Sequence, residues 1–130
     1  MRLLIVDDSP EIVELLSSLM EIIGHEVNKA YDGTEAVQQL LNNRYEVVIT
    51  DAKMPIMDGV ELCKFIKSRF PDVYIIGISG YPEALKELKK AGADICLSKP
   101  FTFEEVEEAI ESRFSASLTA FGFTALQIIT

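Results

Sequence analysis

The sequence predicts an α/β fold, a doubly wound parallel sheet built from five strand–helix units in one domain. Two observations predict it. Short, densely apolar runs typical of buried strands alternate with segments in which apolar residues recur every three or four positions, as in helices. This alternation occurs five times, and strands that alternate with helices form a parallel sheet covered on both faces. With 130 residues, the chain is long enough for one domain with a sizeable core.

The first strand–helix unit has the clearest pattern. Residues 3–6 form an uninterrupted apolar run, which predicts a strand buried on both faces. Ser9 and Pro10 then favour a helix start, with the serine hydroxyl as the expected cap, and Gly24 favours its end. The helix face expected to be buried carries apolar residues at helical spacing, namely Ile12, Leu15, Leu16, Leu19, Met20 and Ile23.

The remaining four units repeat this order. Apolar runs predict strands near residues 26–30, 47–50, 73–78 and 95–97. The helices that follow them carry apolar residues at Ala36, Val37, Leu40 and Leu41, then Leu62, Phe65 and Ile66, then Leu85 and Leu88, and last Val106, Ala109 and Ile110. Gly92 is expected to end the fourth helix, and Thr102 with Glu105 predicts a capping box for the fifth.

Composition and charge exclude several classes of function. The formal net charge of −9 opposes nonspecific binding to nucleic acid, because a phosphate backbone repels such a surface. No apolar stretch is long enough to span a bilayer, and the first apolar run is too short for a signal peptide. We therefore expect a cytoplasmic protein. Cys63 and Cys96 both lie in apolar runs and are expected to be reduced thiols.

The end of the sequence differs in composition from the rest. We expect a domain over residues 1–114 and a separate tail over residues 115–130, because no charged side chain occurs after Arg113. Residues 115–119 alternate polar and apolar as a strand would, and Gly122 weakens a helical interpretation. Helical spacing is nevertheless present at Phe114, Leu118, Phe121, Ala125 and Ile128.

Two interpretations of the tail stay open. One is a frayed end, or the start of a linker whose following domain is absent. The other is an apolar surface that docks on this domain or on a second copy of it. Docking on a second copy would give a homodimer through the tail or through the face of the last helix.

Chemically distinctive side chains stand where four of the predicted strands end: Asp7, Asp8, Asp51, Ser79 and Lys99. Each alone is typical of a turn or a helix cap, as Asp32-Gly33 and Asp58-Gly59 are interpreted here. Together they matter, because the carboxyl edge of an open parallel sheet is where ligands bind. Three crowded carboxylates repel one another, and a hard divalent cation with oxygen ligands, Mg²⁺ rather than zinc, relieves this.

A lysine and a hydroxyl complete the predicted chemistry. Lys99 supplies a mobile positive charge suited to a phosphoryl group, and Ser79 supplies a donor for a phosphoryl oxygen. Phosphoryl transfer needs positioning and charge neutralisation, and an aspartate such as Asp51 is a known covalent acceptor. The pattern therefore predicts phosphoryl transfer at this edge.

On these residues the chain resembles the response-regulator receiver family over residues 2–114. The motifs that carry the resemblance are Asp7-Asp8, the segment DAKMPIMDG at 51–59, Ser79-Gly80 and Lys99-Pro100-Phe101. The resemblance implies a flavodoxin-like sheet with strand order 2-1-3-4-5. It also implies a phosphorylation-dependent switch in two-component signalling, in which Asp51 accepts a phosphoryl group from a sensor histidine kinase or a phosphotransfer protein. The switched domain would then contact a downstream protein target.

The resemblance implies roles for individual residues as well. Asp8 and Asp51 would ligate Mg²⁺ directly, Asp7 would act through water, and Lys53 would contribute its backbone carbonyl. The same resemblance implies that Lys99 pairs with the phosphoryl group.

Four further expectations concern the switch and its surroundings. The resemblance implies that the bond before Pro100 is cis and that Ser79 moves to bond the phosphate. Cys96 stands where family members usually have Phe or Tyr, and a small thiol cannot fill or vacate the same volume. Lys53 and Tyr81 occupy positions that tune dephosphorylation in the family.

Other functions are compatible with parts of the pattern. A magnesium phosphohydrolase would also use Asp51 as nucleophile, but its motif has a second Asp two residues on, where this chain has Lys53. A nucleotide-binding domain would need a glycine-rich loop after the first strand, where Asp7-Asp8-Ser9 stands. We therefore expect no conventional enzyme, and either a stand-alone switch or the N-terminal module of a longer regulator.

Overall fold

The structure, a computed structural model, describes the backbone of residues 1–120 and the side chains of residues 1–113. Strands and helices alternate in the order β1 Arg2–Val6, α1 Pro10–Ile22, β2 Glu26–Ala30, α2 Gly33–Asn42, β3 Val47–Asp51, α3 Gly59–Arg69, β4 Tyr74–Ser79, α4 Pro82–Ala91, β5 Ile95–Ser98 and α5 Phe103–Ala120. The strands form one parallel sheet in the order β2-β1-β3-β4-β5. The predicted fold class and strand order are confirmed.

The sheet separates two apolar cores. Alternate side chains of a strand point to opposite faces, so Leu3 and Ile5 of β1 pack on one side while Leu4 and Val6 pack on the other. Helices α1 and α5 cover the first face, and α2, α3 and α4 cover the second. β3 and β4 are buried along their whole length, which explains their uninterrupted apolar sequences.

The buried face of α1 differs from the predicted one. The buried residues are Val13, Leu16, Ser17 and Met20, whereas Leu15 is 64% exposed. The apolar stripe of α1 is wider than the face of the helix that packs on the sheet. The centre of the stripe, which periodicity predicts to be buried, therefore lies about one residue away from the centre of the buried face. Ile12, Leu15 and Leu19 instead line an open apolar groove of about 510 Å³, together with Phe101 and Phe103.

The predicted start of α1 at Ser9 and Pro10 is confirmed, but the expected cap by the serine hydroxyl is wrong. Ser9 precedes the helix, but its hydroxyl makes no capping hydrogen bond. Its backbone N–H instead donates to Oδ1 of Asp7 at 3.0 Å. The turn therefore orients an acid of the sheet edge rather than satisfying the first turn of the helix.

Other helix ends follow the sequence more closely. Asp32 and Asp58, interpreted as turn residues, each accept a backbone hydrogen bond from the third residue of the next helix, at 2.8 and 2.9 Å. The predicted capping box is confirmed, since the N–H of Glu105 donates to Oγ1 of Thr102 at 3.1 Å. Gly92 ends α4 in the left-handed conformation, with φ of 119°.

The described part of the chain tests little of the predicted tail. Side chains from residue 114 and all of residues 121–130 lie outside the described residues, so the boundary at 114 and the docking and linker interpretations stay predictions.

Both cysteines are free thiols, and burial raises the pKa of Cys63 to about 12. Within the described residues, no helix combines the length and apolar composition that a bilayer span requires.

The loop between β3 and α3 folds back tightly onto the end of its strand. The N–H of Gly59 donates to the carbonyl oxygen of Ala52 at 2.8 Å. A Cβ atom at Gly59 would overlap the backbone carbonyl oxygen of Asp51, which has no flexible end that could move away. The loop can therefore pack against the backbone of Asp51 only because Gly59 has no side chain.

We expect Gly59→Ala to lower the free energy of unfolding by about 2 kcal/mol, because the methyl group forces the loop away from the strand. Urea denaturation monitored by circular dichroism measures the change. Gly80→Ala is the matched control, since the nearest atom to its Cβ would be 3.8 Å away, and its stability should change by less than about 1 kcal/mol. Equal effects at the two positions would contradict the tight packing at Gly59.

Candidate functional site

The parallel sheet brings the predicted site residues to one edge. β1 is followed directly by Asp7 and Asp8, β3 ends on Asp51, β4 ends on Ser79, and β5 is followed by Lys99. These four strands are neighbours in the sheet. Because all strands run in the same direction, their carboxyl ends lie side by side, and residues far apart in the sequence become neighbours.

Three carboxylates form the centre of this edge. Asp7, Asp8 and Asp51 each offer an oxygen atom, and these oxygens lie within 4.8 Å of one another. Asp7 and Asp51 are buried, whereas Asp8 is exposed. The cluster therefore extends from the interior to the solvent, which leaves one side open to a small ion or to the end of a larger molecule.

Lys99 bridges two of the three acids. Its Nζ lies 3.1 Å from Oδ2 of Asp7 and 3.2 Å from Oδ1 of Asp51. The lysine reaches this position from the loop after β5, where the Lys99–Pro100 peptide bond is cis, the isomer that the family resemblance implies. Its ammonium group thus partly neutralises the two buried carboxylates.

Burial and neighbouring charges shift the pKa values of Asp51 and Lys99. Burial raises the pKa of Asp51, and the neighbouring charge of Asp7 raises it further, while Lys99 opposes both effects. Burial disfavours the charged form of Lys99, but its hydrogen bond to Asp7 and the charge of Asp51 outweigh this and raise its pKa. Lys99 therefore stays protonated, and the carboxylates carry more negative charge than one lysine balances.

Ser79 is buried at the end of β4, beside this cluster in the sheet. Its Oγ accepts a hydrogen bond from the backbone N–H of Tyr81 at 3.1 Å. The hydroxyl of Ser79 thus bonds to the loop that follows β4. If it bonded to another group instead, the backbone N–H of Tyr81, just before α4, would lose this acceptor.

Two further contacts lie next to the site. The ammonium of Lys53 lies 4.8 Å from the centre of the exposed Tyr81 ring, which links the loop after β3 to the loop after β4. Sγ of Cys96 contacts the carbonyl oxygen of Leu85 at 3.6 Å and packs against the core beneath α4. The sequence indicates Lys53 and Tyr81 separately, but nothing in their spacing predicts that they touch.

The geometry has a limited set of chemical uses. Three oxygen ligands at this spacing could bind a hard cation, and a lysine beside a partly buried carboxylate could stabilise an anionic group attached there. Backbone contacts keep the acids in place, since the N–H of Asp7 donates to the carbonyl oxygen of Ala30 and Oγ1 of Thr50 donates to the carbonyl oxygen of Asp51.

Comparison with known proteins decides which family uses this arrangement. The sequence model described as "Response regulator receiver domain" matches residues 3–111. The chain belongs to the response-regulator receiver family. Receiver domains of response regulators are phosphorylated by histidine kinases, and the acidic edge of this receiver domain is consistent with phosphorylation-dependent two-component signalling.

Curated relatives and solved structures agree with this assignment. The transcriptional regulatory protein CpxR homolog of Haemophilus influenzae is 38% identical over 120 residues, which cover 89% of this chain and 52% of that protein. The response regulator MprA of Mycobacterium sp. is 36% identical, over 81% of this chain and 46% of that protein. This receiver domain thus spans about half the length of the curated relatives it matches.

Two solved structures resemble the receiver domain closely. A CheY-like receiver domain protein from Methanospirillum hungatei has a TM-score of 0.82 and 30% identity, covering 86% of this chain and 91% of that one. The response regulator TrrA from Thermotoga maritima, solved in complex with Mg²⁺–BeF, has a TM-score of 0.79 and 33% identity. It covers 85% of this chain and 96% of that one.

The raised pKa of Asp51 predicts how Asp51→Asn changes stability. A carboxyl whose pKa is higher in the folded state than in the unfolded chain costs stability when ionised, and this cost disappears as the pH falls through the folded-state pKa. Asp51→Asn should therefore raise the free energy of unfolding at neutral pH, and the gain should vanish below about pH 4. Urea denaturation across this pH range measures it.

Asp32→Asn is the matched control with the opposite sign. Hydrogen bonds from Thr34 and Glu35 lower the pKa of Asp32, so its ionised form stabilises the fold. That variant should be equally stable or slightly less stable at neutral pH. A loss of stability in Asp51→Asn at neutral pH would contradict the electrostatic account of the site.

Proposed function

We propose that this chain is a signalling switch in which Asp51 accepts a phosphoryl group in the presence of Mg²⁺. The observation that carries the proposal is the cluster of Asp7, Asp8 and Asp51, whose oxygens lie within 4.8 Å and two of which Lys99 bridges. The donor is a phosphohistidine of a sensor histidine kinase or of a phosphotransfer protein.

The donor atoms of the cluster fit Mg²⁺. All three side chains offer carboxylate oxygen, the ligand type that this ion prefers, and the exposed side at Asp8 leaves room for water and phosphate oxygens. We propose Asp8 and Asp51 as direct ligands, Asp7 as a ligand through water, and the backbone carbonyl of Lys53 as a further ligand. The bound ion would supply positive charge to the oxygens of the transferred group. The Mg²⁺–BeF complex of TrrA supports this choice of metal.

The chemical step needs an ionised Asp51. Its carboxylate oxygen forms a bond to phosphorus while the phosphorus–nitrogen bond of the phosphohistidine breaks, and the imidazole leaves with the electron pair of that bond. Burial and Asp7 disfavour the ionised form of Asp51, whereas Lys99 favours it. Lys99 therefore keeps the nucleophile charged, and its ammonium is positioned to pair with the phosphoryl oxygens.

Ser79 would couple phosphorylation of Asp51 to a change in the loop before α4. If its hydroxyl rotates to donate to a phosphoryl oxygen, the hydrogen bond that it accepts from the backbone N–H of Tyr81 breaks. The loop before α4 then loses one of the bonds that hold its conformation. Cys96 is too small to act as the aromatic partner that many family members have, so we propose that the change reaches a downstream protein through this loop and α4.

The same geometry argues against a turnover enzyme. Lys53, two residues after Asp51, points its ammonium at the Tyr81 ring, whereas a phosphohydrolase of this type would have a second acid there. We propose that the only reactions of the domain are its own phosphorylation and a slow loss of the phosphoryl group. The output of the switch is contact with another protein.

The proposal predicts Mg²⁺-dependent labelling by a small phosphodonor. Incubation with acetyl phosphate should add one phosphoryl group that hydroxylamine removes, as expected for an acyl phosphate, and intact-protein mass spectrometry measures it. Asp51→Asn should abolish the label. Asp8→Asn and Lys99→Ala should slow labelling by about 100-fold, because each removes charge stabilisation from the transferred group.

Asp32→Asn serves as the control for the loss of one carboxylate. This residue caps α2 and is not one of the three clustered acids, and asparagine caps a helix equally well, so its labelling rate should match the parent. An unlabelled parent, or a label that persists in Asp51→Asn, would refute the proposed acceptor.

A further inference from the structure

All four arginines of the chain lie around one cavity. They are Arg2, Arg44, Arg69 and Arg113, and they line a cavity of about 940 Å³ at the amino-terminal edge of the sheet. None of the eight lysines lines it, and of the 21 acidic residues only Glu46 and Asp72 do. A chain with a net charge of −9 thus carries a local excess of positive charge at this position.

This cavity is separate from the phosphoacceptor edge. Val47 lines it, and Asp51 ends the same strand four residues later, roughly 13 Å away at the rise of an extended strand. The cavity therefore cannot share a ligand atom with the cluster of acids, and its arginines have no part in the proposed phosphorylation.

Aromatic rings position three of the four guanidinium groups. Arg2 lies 5.8 Å from the centre of the Tyr45 ring, and Arg113 lies 5.3 Å from that of Tyr74. Arg69 lies 6.0 Å from the centre of the adjacent Phe70 ring. A guanidinium held against a ring keeps its N–H donors at the edge of its plane, where they suit a bidentate carboxylate.

Two of the arginines have no acidic partner in the part of the chain that the structure describes. Among the residues that the structure describes, no carboxylate lies within salt-bridge distance of Arg44 or Arg69, and both are exposed. Glu46, the nearer of the two acids in sequence to Arg44, accepts a hydrogen bond from the backbone N–H of Arg2 instead. The two acids that line the cavity therefore do not neutralise the charge of its four arginines.

The ordinary explanation for basic residues here is the helix dipole. Helices α2 and α3 end at this edge, and a cation near a helix carboxyl end is stabilising. A lysine would serve that purpose equally well, as Lys89 and Lys90 do in the last turn of α4. The restriction of arginine to this cavity and of lysine to the rest of the surface points to recognition of a planar acceptor as well as to helix stabilisation.

We infer that this cavity binds an acidic segment of a partner protein, one in which carboxylate side chains alternate with apolar ones. Its walls include Leu40, Tyr45 and Phe70, which suit the apolar side chains, while the exposed guanidinium groups of Arg44 and Arg69 suit carboxylates. A compact polyphosphate fits less well, because the carboxyl ends of two helices face this edge and repel concentrated negative charge.

A labelled peptide tests this inference directly. A fluorescein-labelled peptide of alternating glutamate and leucine should bind saturably in fluorescence anisotropy, and more weakly as salt is added. The double variant R44Q/R69Q should weaken binding by about 100-fold, about tenfold for each lost charged hydrogen bond. R44K/R69K, which keeps the charge but not the planar fork, should retain only part of the affinity.

Matched controls separate this site from general charge attraction. K64Q/K90Q removes the same charge from exposed positions outside the cavity and should change binding by less than about twofold. The peptide with glutamine in place of glutamate should not bind. Acetyl phosphate labelling of R44Q/R69Q should match the parent, because both arginines are remote from Asp51. Its thermal melt should fall no further than that of K64Q/K90Q, because each double variant removes one cation from the last turn of a helix.

Three outcomes would overturn the inference. The first is an absence of saturable binding by the acidic peptide. The second is an equal loss of binding in K64Q/K90Q and R44Q/R69Q, which would show attraction without a site. The third is tighter binding of ATP or inorganic phosphate than of the peptide at the same arginines, which would assign the cavity to a phosphorylated ligand.

Discussion

The confinement of three carboxylates at one sheet edge is the constraint on which the rest of the structure depends. Asp7 and Asp51 are buried, and the pKa of Asp51 is raised by its loss of hydration and further by the charge of Asp7. Lys99 offsets part of this repulsion from the loop after β5. The site therefore holds negative charge that one lysine does not balance, and a divalent cation and a phosphoryl group are the additions that its chemistry favours.

The surrounding fold keeps this unfavourable arrangement in place. Fully buried central strands deliver Asp7 and Asp51 to the same level of the sheet, and the large apolar cores on both faces provide the stability that offsets the crowding. The loop after β3 returns against the strand through Gly59, which fixes the backbone near Asp51. Near the acids, Ser79 and Lys53 both contact Tyr81, the residue that precedes α4.

Sequence reasoning could predict the fold and the members of the site because both follow from simple patterns. Buried parallel strands are uninterrupted apolar runs, and the residue that ends such a strand lies at the ligand-binding edge whatever its distance in sequence. The buried face of α1 could not be predicted, because its apolar stripe is wider than the contact and Leu15 faces a groove. The pairing of Lys53 with Tyr81 and the gathering of four arginines depend on how loops and helix ends meet, for which no local motif exists.

A titration with Mg²⁺ followed by NMR tests the central claim most directly. If the acidic edge is built to hold a cation, backbone amide shifts should saturate at Asp7, Asp8 and Asp51, and the pKa of the Asp51 carboxyl should fall when Mg²⁺ is bound. Asp8→Asn should weaken this binding by about tenfold, because it removes a direct charged ligand. Shifts spread over the acidic surface of α5, or a Mg²⁺ affinity that Asp8→Asn leaves unchanged, would contradict the account.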